Sequence, residues 1–171
     1  MAEDNDFINK TFLMNIIKRE KPIIEKMPSS FYLKPIVRTN FLGYPRIIEG
    51  GFPGKKGTVW EKYNLKVIFF IPRSYPKESP KVIRFIPPIF HPNVSKEGNV
   101  YFTPSWYPEY GLTQILMDLQ ILLAKPCMDY LYNREASELY KNNMEKYNER
   151  ISISPYQTII FKHDPTYKKY I

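Results

Sequence analysis

Residues 87–106 constrain the fold of this chain more than any other stretch. They contain the rigid pair Pro87-Pro88, the triplet His91-Pro92-Asn93 and the turn-forming Gly98, and they end on Trp106. Because proline and glycine interrupt both helical and strand periodicity, this pattern predicts a long ordered loop. Ordered loops of this length usually carry the function of a domain. We therefore expect the functional site in this loop.

Composition limits the class of protein. The chain has 171 residues, of which 43% are hydrophobic, and this predicts one folded domain with its own core. Its apolar runs are all shorter than the roughly 20 residues of a membrane span. The polar start at residues 1–4 is unlike a signal peptide. We therefore expect a soluble protein of the cytoplasm or the nucleus, without a membrane partner.

The net charge and the few potential metal ligands limit which partners and cofactors the chain can be expected to bind. A formal charge of +8 fits either an acidic partner or a solvated lysine-rich surface. The chain has no glycine-rich phosphate loop and no nucleic-acid-binding motif, so nucleic acid is not the expected partner. Cys127 is the single cysteine, which excludes an internal disulfide and fits a reducing compartment. With His91 and His163 as the only histidines, neither a metal nor another cofactor is expected.

A helix is predicted at the start of the chain, from about Asp6, with Asp4 or Asn5 as its N-cap. The spacing of apolar residues predicts a buried stripe. Its members are Ile8, Phe12, Leu13, Ile16 and Ile17. Pro22 is expected to end or kink this helix, with one further turn over residues 23–26.

Four strands are predicted next, because β-branched and aromatic residues recur in short segments separated by turn residues. The segments are residues 31–39, 44–49, 64–71 and 81–85. The third has one fully apolar face and a second largely apolar one, which is typical of a central strand covered by helices. Short connections at residues 50–54 and 73–76 favour an antiparallel meander.

Apolar residues at helical spacing between residues 112 and 123 predict a buried central helix after the loop, with Ile121 widening its apolar stripe. Gly111 or Thr113 is the predicted N-cap, and Pro126 is expected to stop the helix.

A last helix is predicted from about Arg134 to Ile151, with Asn133 as its N-cap. Residues 1–151 are then the core domain, and residues 152–171 are a tail or a docked extension. The order of helix, four strands, long loop and two helices predicts an α+β fold with helices packed on an antiparallel sheet.

Several motifs in and around the loop resemble those of one family. Residues 90–94, Phe-His-Pro-Asn-Val, followed by Gly98-Asn99-Val100, resemble the active-site loop of ubiquitin-conjugating enzymes. Residues 52–61 resemble a turn between two strands in that family, especially in its SUMO-conjugating members. Residues 75–82 resemble a further family motif, and the likeness extends over residues 12–151. It implies the family's fold: an N-terminal helix, a four-stranded antiparallel meander, the active-site loop, a central helix and a C-terminal helix.

The resemblance also implies a chemistry that this chain lacks in its usual form. In the family, a cysteine eight positions after the asparagine forms a thioester with the C-terminus of a modifier and passes it to a lysine. Tyr101 stands at that position. Asn93 matches the residue that stabilises the oxyanion or the loop, and Asp129 matches the first of two acidic positions, while Tyr130 stands at the second. The vestigial site implied by the resemblance is His91, Pro92, Asn93, Tyr101 and Asp129.

A tyrosine is a poor substitute for the cysteine. An unperturbed thiol with a pKa of about 8.5 is roughly 3% ionised at pH 7, whereas a phenol with a pKa of about 10 is only about 0.1% ionised. The difference is about thirtyfold even before the greater nucleophilicity of the thiolate is counted. We therefore expect the ring of Tyr101 to fill the vacated groove.

These observations predict a catalytically inactive variant of the family. Its expected partners are ubiquitin or a ubiquitin-like protein, and an active conjugating enzyme, an activating enzyme or a ligase. One alternative is an active conjugating enzyme that uses Cys127 as a displaced nucleophile, although a lone cysteine is more often a small buried apolar residue. The other is a basic nucleic-acid-binding protein on the same fold, with steeply salt-dependent binding.

The first helix carries the predicted docking surface for the modifier, by resemblance to the SUMO-conjugating members. Its members are Lys10, Lys18, Arg19 and Lys21. The alternative interpretation of these charges is an ordinary solvated helix face.

Overall fold

The computed structural model describes residues 2–36, 46–101 and 106–153. Their elements in chain order are α1 (Ala2–Ile24), β1 (Tyr32–Ile36), β2 (Ile47–Pro53), β3 (Asn64–Phe70), β4 (Val82–Phe85), α2 (Gly111–Ala124), α3 (Arg134–Asn142) and α4 (Met144–Ser152). The strands form one antiparallel sheet in the order β1-β2-β3-β4. The predicted α+β fold with a four-stranded meander is therefore confirmed.

α1 begins earlier than predicted and does not end at its proline. It starts at Ala2 rather than near Asp6, so Asp4 and Asn5 lie inside the helix and are not its N-cap. Acidic residues are favourable in a first turn because the helix dipole is positive there. Pro22 lies in the last turn, so the helix continues for only two residues beyond the hydrogen bond that its missing N–H removes. The predicted further turn follows, with the amide of Glu25 donating to the carbonyl of residue 21 at 3.1 Å.

The buried face of α1 is shifted along the helix from the predicted stripe. Leu13, Ile16, Ile17 and Ile24 lie in the core, whereas Ile8 is 62% exposed, so its assignment to the stripe is wrong. α1 packs on β1 and α2. Among residues 8–24, whose side chains are described, the buried part of α1 is the part that lies over the sheet and α2.

β2 runs through a segment that the sequence predicted to be a turn. Gly50 and Gly51 pair with Val67 and Lys66 of β3, and the strand continues to Pro53. Glycine is required at residue 51 because a Cβ atom there would overlap the ring of Tyr32 on β1. The close approach of the Tyr32 ring, which the sequence does not show, thus explains a glycine at residue 51 within a strand.

The remaining strand boundaries agree with the predictions where they are described. β3 and β4 lie within one residue of the predicted segments. Residues 37–39 of the predicted first strand and residues 44–45 of the predicted second lie outside the described residues.

The sheet has an apolar side chain layer on each face. Val67 and Phe69 on β3 join the main core under α1 and α2. Ile47, Ile68 and Phe70 form a second buried cluster on the opposite face. This arrangement explains the nearly continuous apolar run of β3, which pairs with a strand on each side.

The N-terminus of α2 is capped by a residue from α1. The carboxylate of Glu20, only 2% exposed, accepts hydrogen bonds from the amides of Leu112 and Thr113, both at 2.9 Å, and from the Thr113 hydroxyl at 2.7 Å. Gly111 has a φ of +72°, and a Cβ atom on it would lie 2.7 Å from the Glu20 carboxylate. The predicted cap by Gly111 or Thr113 is therefore wrong, because the capping group comes from 93 residues away in the chain.

The buried face of α2 otherwise matches the prediction. Leu112, Ile115, Leu116, Leu119 and Leu123 are buried in the core. Ile121 is 52% exposed, so its predicted contribution to the buried stripe is wrong. The helix ends at Ala124, two residues before Pro126, as predicted.

The predicted last helix is two helices. Asn133 caps α3 as predicted, accepting from the amide of Ala136 at 3.1 Å. Asn143 then leaves the helical conformation, and its side chain accepts from the amide of Lys146 at 3.0 Å to cap α4. The break arises because an asparagine side chain can replace the hydrogen bonds of a continuing helix. From residue 154 on, the predicted tail lies outside the described residues.

We predict that Glu20→Ala lowers the free energy of unfolding by about 3 kcal/mol, because two buried amides lose their acceptor. Urea unfolding with an unchanged slope is the measurement. Glu25→Ala is the matched control on the same helix: it removes an exposed carboxylate that pairs with Lys21 at 3.6 Å. Its expected effect is less than about 0.5 kcal/mol. Equal effects of the two changes would contradict the capping role.

Candidate functional site

The loop after β4 is ordered by its own backbone hydrogen bonds. The amide of Phe85 donates to the carbonyl of Gly98 at 2.8 Å, which ties the loop to β4. Ser95 and Asn99 form a tight turn, with the Ser95 amide donating to the Asn99 carbonyl at 2.9 Å. Val94 and Val100 form an isolated antiparallel bridge. The loop therefore presents its residues in one fixed arrangement as far as Tyr101.

Asn93 joins the loop to the connection between α2 and α3. Its side chain is fully buried, and its Oδ1 accepts from the amide of Cys127 at 2.9 Å. Its Nδ2 donates to the carbonyls of Cys127 and Tyr130, both at 2.6 Å. An amide nitrogen has two hydrogens, and both are used. In this arrangement Asn93 holds the backbone and has no donor left for a developing oxyanion.

The backbone of the triplet holds the same connection. The carbonyl of Pro92 accepts from the amides of Tyr132 and Asn133, at 2.9 and 3.0 Å. The carbonyl of Asn93 accepts from the amide of Tyr101 at 2.8 Å. Tyr101 is thereby brought next to residues 130–132, although about thirty residues separate them in the chain.

Tyr101, Tyr130 and Tyr132 form a tyrosine cluster at the site predicted from the sequence. The rings of Tyr101 and Tyr130 are stacked, with centroids 4.7 Å apart and planes 17° apart. Tyr132 meets Tyr101 edge to face at 5.4 Å. Tyr101 is half-buried, while Tyr130 and Tyr132 are 51% and 49% exposed. The sequence analysis did not predict the contact of Tyr132 with Tyr101. The signal that could have indicated it is the pair of tyrosines at residues 130 and 132, shortly after Cys127.

His91 is a buried structural residue. Its Nδ1 accepts from the amide of Asn93 at 3.1 Å, so the neutral ring carries its proton on Nε2. Burial lowers the pKa of His91 to about 3, while the backbone of Leu122 and Leu123 opposes this shift only in part. Nε2 makes no hydrogen bond of standard geometry within the described residues. At neutral pH the ring is uncharged and closed off from solvent.

Cys127 and Asp129 lie on the connection that Asn93 holds. Cys127 is half-buried, and both its amide and its carbonyl are bonded to the Asn93 side chain. Asp129 is exposed two residues further on. The predicted site residues His91, Pro92, Asn93 and Tyr101 thus meet at one place, with Cys127 beside them.

The cations of α1 do not all share one face. Successive helical residues are about 100° apart, so Lys10, Lys18 and Lys21 fall within an arc of about 80° and Arg19 lies about 180° from Lys10. Arg19 donates to the carbonyl of Pro108 and so holds the segment before α2. Lys10, Lys18 and Lys21 therefore form a three-lysine face.

Among the described residues, no three His, Cys, Asp or Glu side chains are arranged to hold a metal ion. No helix in the same ranges is long and apolar enough to cross a membrane.

The fold and the braced loop together define a domain of the ubiquitin-conjugating type. The family model described as ubiquitin-conjugating enzyme matches residues 17–154, which is more than half of the chain. The chain therefore belongs to the ubiquitin-conjugating enzyme family. Membership supports a role in the conjugation of ubiquitin or ubiquitin-like proteins, with interactions with the modifier and with activating enzymes or ligases of that pathway.

We predict that Asn93→Asp lowers the free energy of unfolding by about 3 kcal/mol, because a carboxylate of the same shape cannot donate to the two carbonyls and is buried. Asn15→Asp, at an exposed position of α1, is the control with an expected effect within about 0.5 kcal/mol. Amide hydrogen exchange at Tyr132 and Asn133, whose N–H groups donate to the Pro92 carbonyl on the same connection, gives the local readout, because the carboxylate of the variant would still accept from the Cys127 amide. Unchanged exchange at those two amides would contradict the bracing role.

Proposed function

We propose that this protein is a catalytically inactive ubiquitin-conjugating enzyme variant, which acts in conjugation by binding the modifier or an active conjugating enzyme. One observation carries the proposal: the ring of Tyr101, which by resemblance stands at the position of the family's nucleophile, is packed against Tyr130. A role in conjugation follows from family membership. The loss of the transfer step is the part proposed here.

The packing of Tyr101 argues against a phenol nucleophile. Attack on an activated carbonyl requires the phenolate to approach that carbon freely, and it requires a base nearby. The stacked and edge-on rings of Tyr130 and Tyr132 restrict the orientation of the Tyr101 ring. His91, ten residues before Tyr101 in the sequence, is fully buried and its Nδ1 accepts from the Asn93 amide. Neither feature favours activation of the hydroxyl.

The hydrogen bonds of Asn93 also support the proposal, because they bear on how a transition state could be stabilised. Stabilising an oxyanion needs a donor that is free and aimed at the developing charge. Both hydrogens of Nδ2 are bonded to backbone carbonyls, and the side chain has no exposed surface. To serve an oxyanion, Asn93 would have to release at least one of these buried bonds.

One observation favours a second candidate function. Cys127 is half-buried rather than fully buried, and its backbone is bonded directly to the Asn93 side chain. The sole thiol of the chain is thus on a residue next to the family's asparagine. A conjugating enzyme that uses Cys127 in place of the usual cysteine is therefore the alternative to be tested.

We predict that the purified protein forms no thiol-sensitive adduct with activating enzyme, ATP and labelled ubiquitin or ubiquitin-like proteins. The physical reason is that the nucleophile position holds a packed phenol instead of a thiol. Non-reducing gel electrophoresis with and without a thiol reductant measures the adduct. An active conjugating enzyme in the same reaction shows that the assay works.

Cys127→Ser separates the two candidate functions. An adduct that the wild-type chain forms and Cys127→Ser does not form would establish the alternative and overturn the inactive assignment. An adduct that resists thiols and disappears in Tyr101→Phe would mean that the phenol itself is acylated. The absence of adduct in all three proteins, with retained modifier binding, supports the proposal.

The three-lysine face of α1 is the proposed docking surface for the modifier. Lys10 and Lys18 are exposed, and Lys21 is half-buried beside Glu25. The face is cationic and lies on a helix, which suits an acidic patch on a partner. Arg19 is left out of the surface because its guanidinium binds Pro108.

We predict that the double change Lys10→Glu and Lys18→Glu weakens modifier binding about tenfold, because it replaces two attractive charges by two repulsive ones. Titration calorimetry against ubiquitin and ubiquitin-like proteins is the measurement. The control, Lys96→Glu with Lys146→Glu, makes the same change in net charge at exposed lysines outside α1. If both pairs weaken binding equally, net charge rather than this face determines the affinity.

A further inference from the structure

A cationic pocket lies at one end of the sheet, apart from the tyrosine cluster. It is a cavity of about 350 Å³ at the start of β2, the end of β3 and the start of β4. The charged residues among its described lining are Arg46, Arg73, Lys81 and Glu78. Nothing in the proposed function uses this pocket.

The topology of the sheet brings these charges together. Ile47 pairs with Phe70, and Phe70 pairs with Val82. The start of β2, the end of β3 and the start of β4 therefore lie at the same end of the sheet. Arg46 directly precedes β2, and Lys81 directly precedes β4, while Arg73 lies in the connection between β3 and β4. Three cations from separate parts of the chain therefore line one cavity.

Arg46 is held in place but is not saturated. Its Nε donates to the carbonyl of Ile71 at 3.3 Å, and its Nη1 donates to Oδ1 of Asn9 at 3.1 Å. A guanidinium has five N–H donors, so three have no partner within the described residues. No ion pair joins Arg46, Arg73 or Lys81 to a carboxylate in the part of the chain that the structure describes. Arg46 is thus a fixed cation whose remaining N–H groups can donate to a ligand.

The charges of the described lining do not balance one another. Its three cations and one carboxylate, Glu78, leave a net charge of +2 among the lining residues that the structure describes. Burial lowers the pKa of Arg46, and the neighbouring charge of Arg73 lowers it further. A bound anion would relieve both the repulsion between the two arginines and the partial desolvation of Arg46.

The remaining lining suits a phosphate group carried on a small carbon skeleton. Ser74 adds a hydroxyl that can donate to an oxygen, and Phe70, Ile71 and Pro72 supply an apolar wall. A phosphate monoester has a charge of about −1.5 to −2 at neutral pH and three acceptor oxygens. That charge matches the lining better than the single charge of a carboxylate does, and arginine presents its donors in pairs that fit phosphate oxygens.

We propose that this cationic pocket binds a phosphate monoester, with Arg46 fixed at the wall and Arg73 and Lys81 closing on the ligand from the surface. The monoester can be a small molecule or a phosphorylated side chain, since both present the same phosphate group to the three cations. Arg73 and Lys81 are exposed, so the pocket is accessible from solvent.

The test is an NMR titration of the full chain with N-acetyl-phosphoserine amide and, separately, with inorganic phosphate. We expect saturable shifts at Ser74 and Lys81, and affinity that falls as salt is added. Arg73→Gln and Lys81→Gln each remove an exposed charge and should weaken binding about fivefold. Glu78→Gln should strengthen it about threefold, because it removes the opposing carboxylate.

The controls separate the pocket from net charge. Lys96→Gln removes an exposed lysine outside the pocket and should leave the affinity unchanged. Tighter binding of the phosphoserine compound than of inorganic phosphate would show that the apolar wall contacts the carbon skeleton. Equal binding would show that the pocket recognises the phosphate group alone. The proposal is overturned if unphosphorylated N-acetyl-serine amide gives the same shifts. It is overturned equally if Arg73→Gln with Lys81→Gln binds as the wild type does, or if the shifts map elsewhere.

Discussion

The buried side chain of Asn93 is the interaction on which the site depends. Through Oδ1 and Nδ2 it holds the connection after α2 against the loop after β4. The carbonyl of Pro92 adds two more bonds to the same connection. Because buried polar groups are costly unless they are paired, these bonds favour a single arrangement of the two segments. The position of Tyr101 against Tyr130 follows from that arrangement.

Glu20 has a similar part at the other end of α2. A buried carboxylate from α1 satisfies the first amides of α2, so that the central helix is fixed at its start by one buried polar residue and its following connection by another. Capping by a distant side chain meets the same need as a local N-cap, but it also fixes α1 relative to α2. The apolar contacts between α1 and α2 supply the buried area, and the buried hydrogen bonds fix the position of one helix along the other.

The same framework can support transfer or only binding, depending on a few side chains at the loop. Under the proposed function, a thiol at residue 101 would be the nucleophile, whereas the phenol there packs with two other tyrosines. Surfaces away from the loop do not depend on whether residue 101 is a cysteine or a tyrosine. The three-lysine face of α1 and the cationic pocket at the end of the sheet lie on different elements, so each can be altered without disturbing Asn93.

Local patterns in the sequence determined the element order, the central position of β3, the buried face of α2 and the Asn133 cap, because each rests on periodicity or on contacts within a few residues. Tertiary structure alone decided the contacts between residues far apart in the chain: the Glu20 cap of α2, the strand conformation of Gly50-Gly51 beside Tyr32, and the packing of Tyr132 on Tyr101. The cations of the pocket are likewise scattered over thirty-five residues of sequence and meet only because three strand ends share one edge. A local pattern cannot encode such a meeting, since it depends on how the whole sheet is paired.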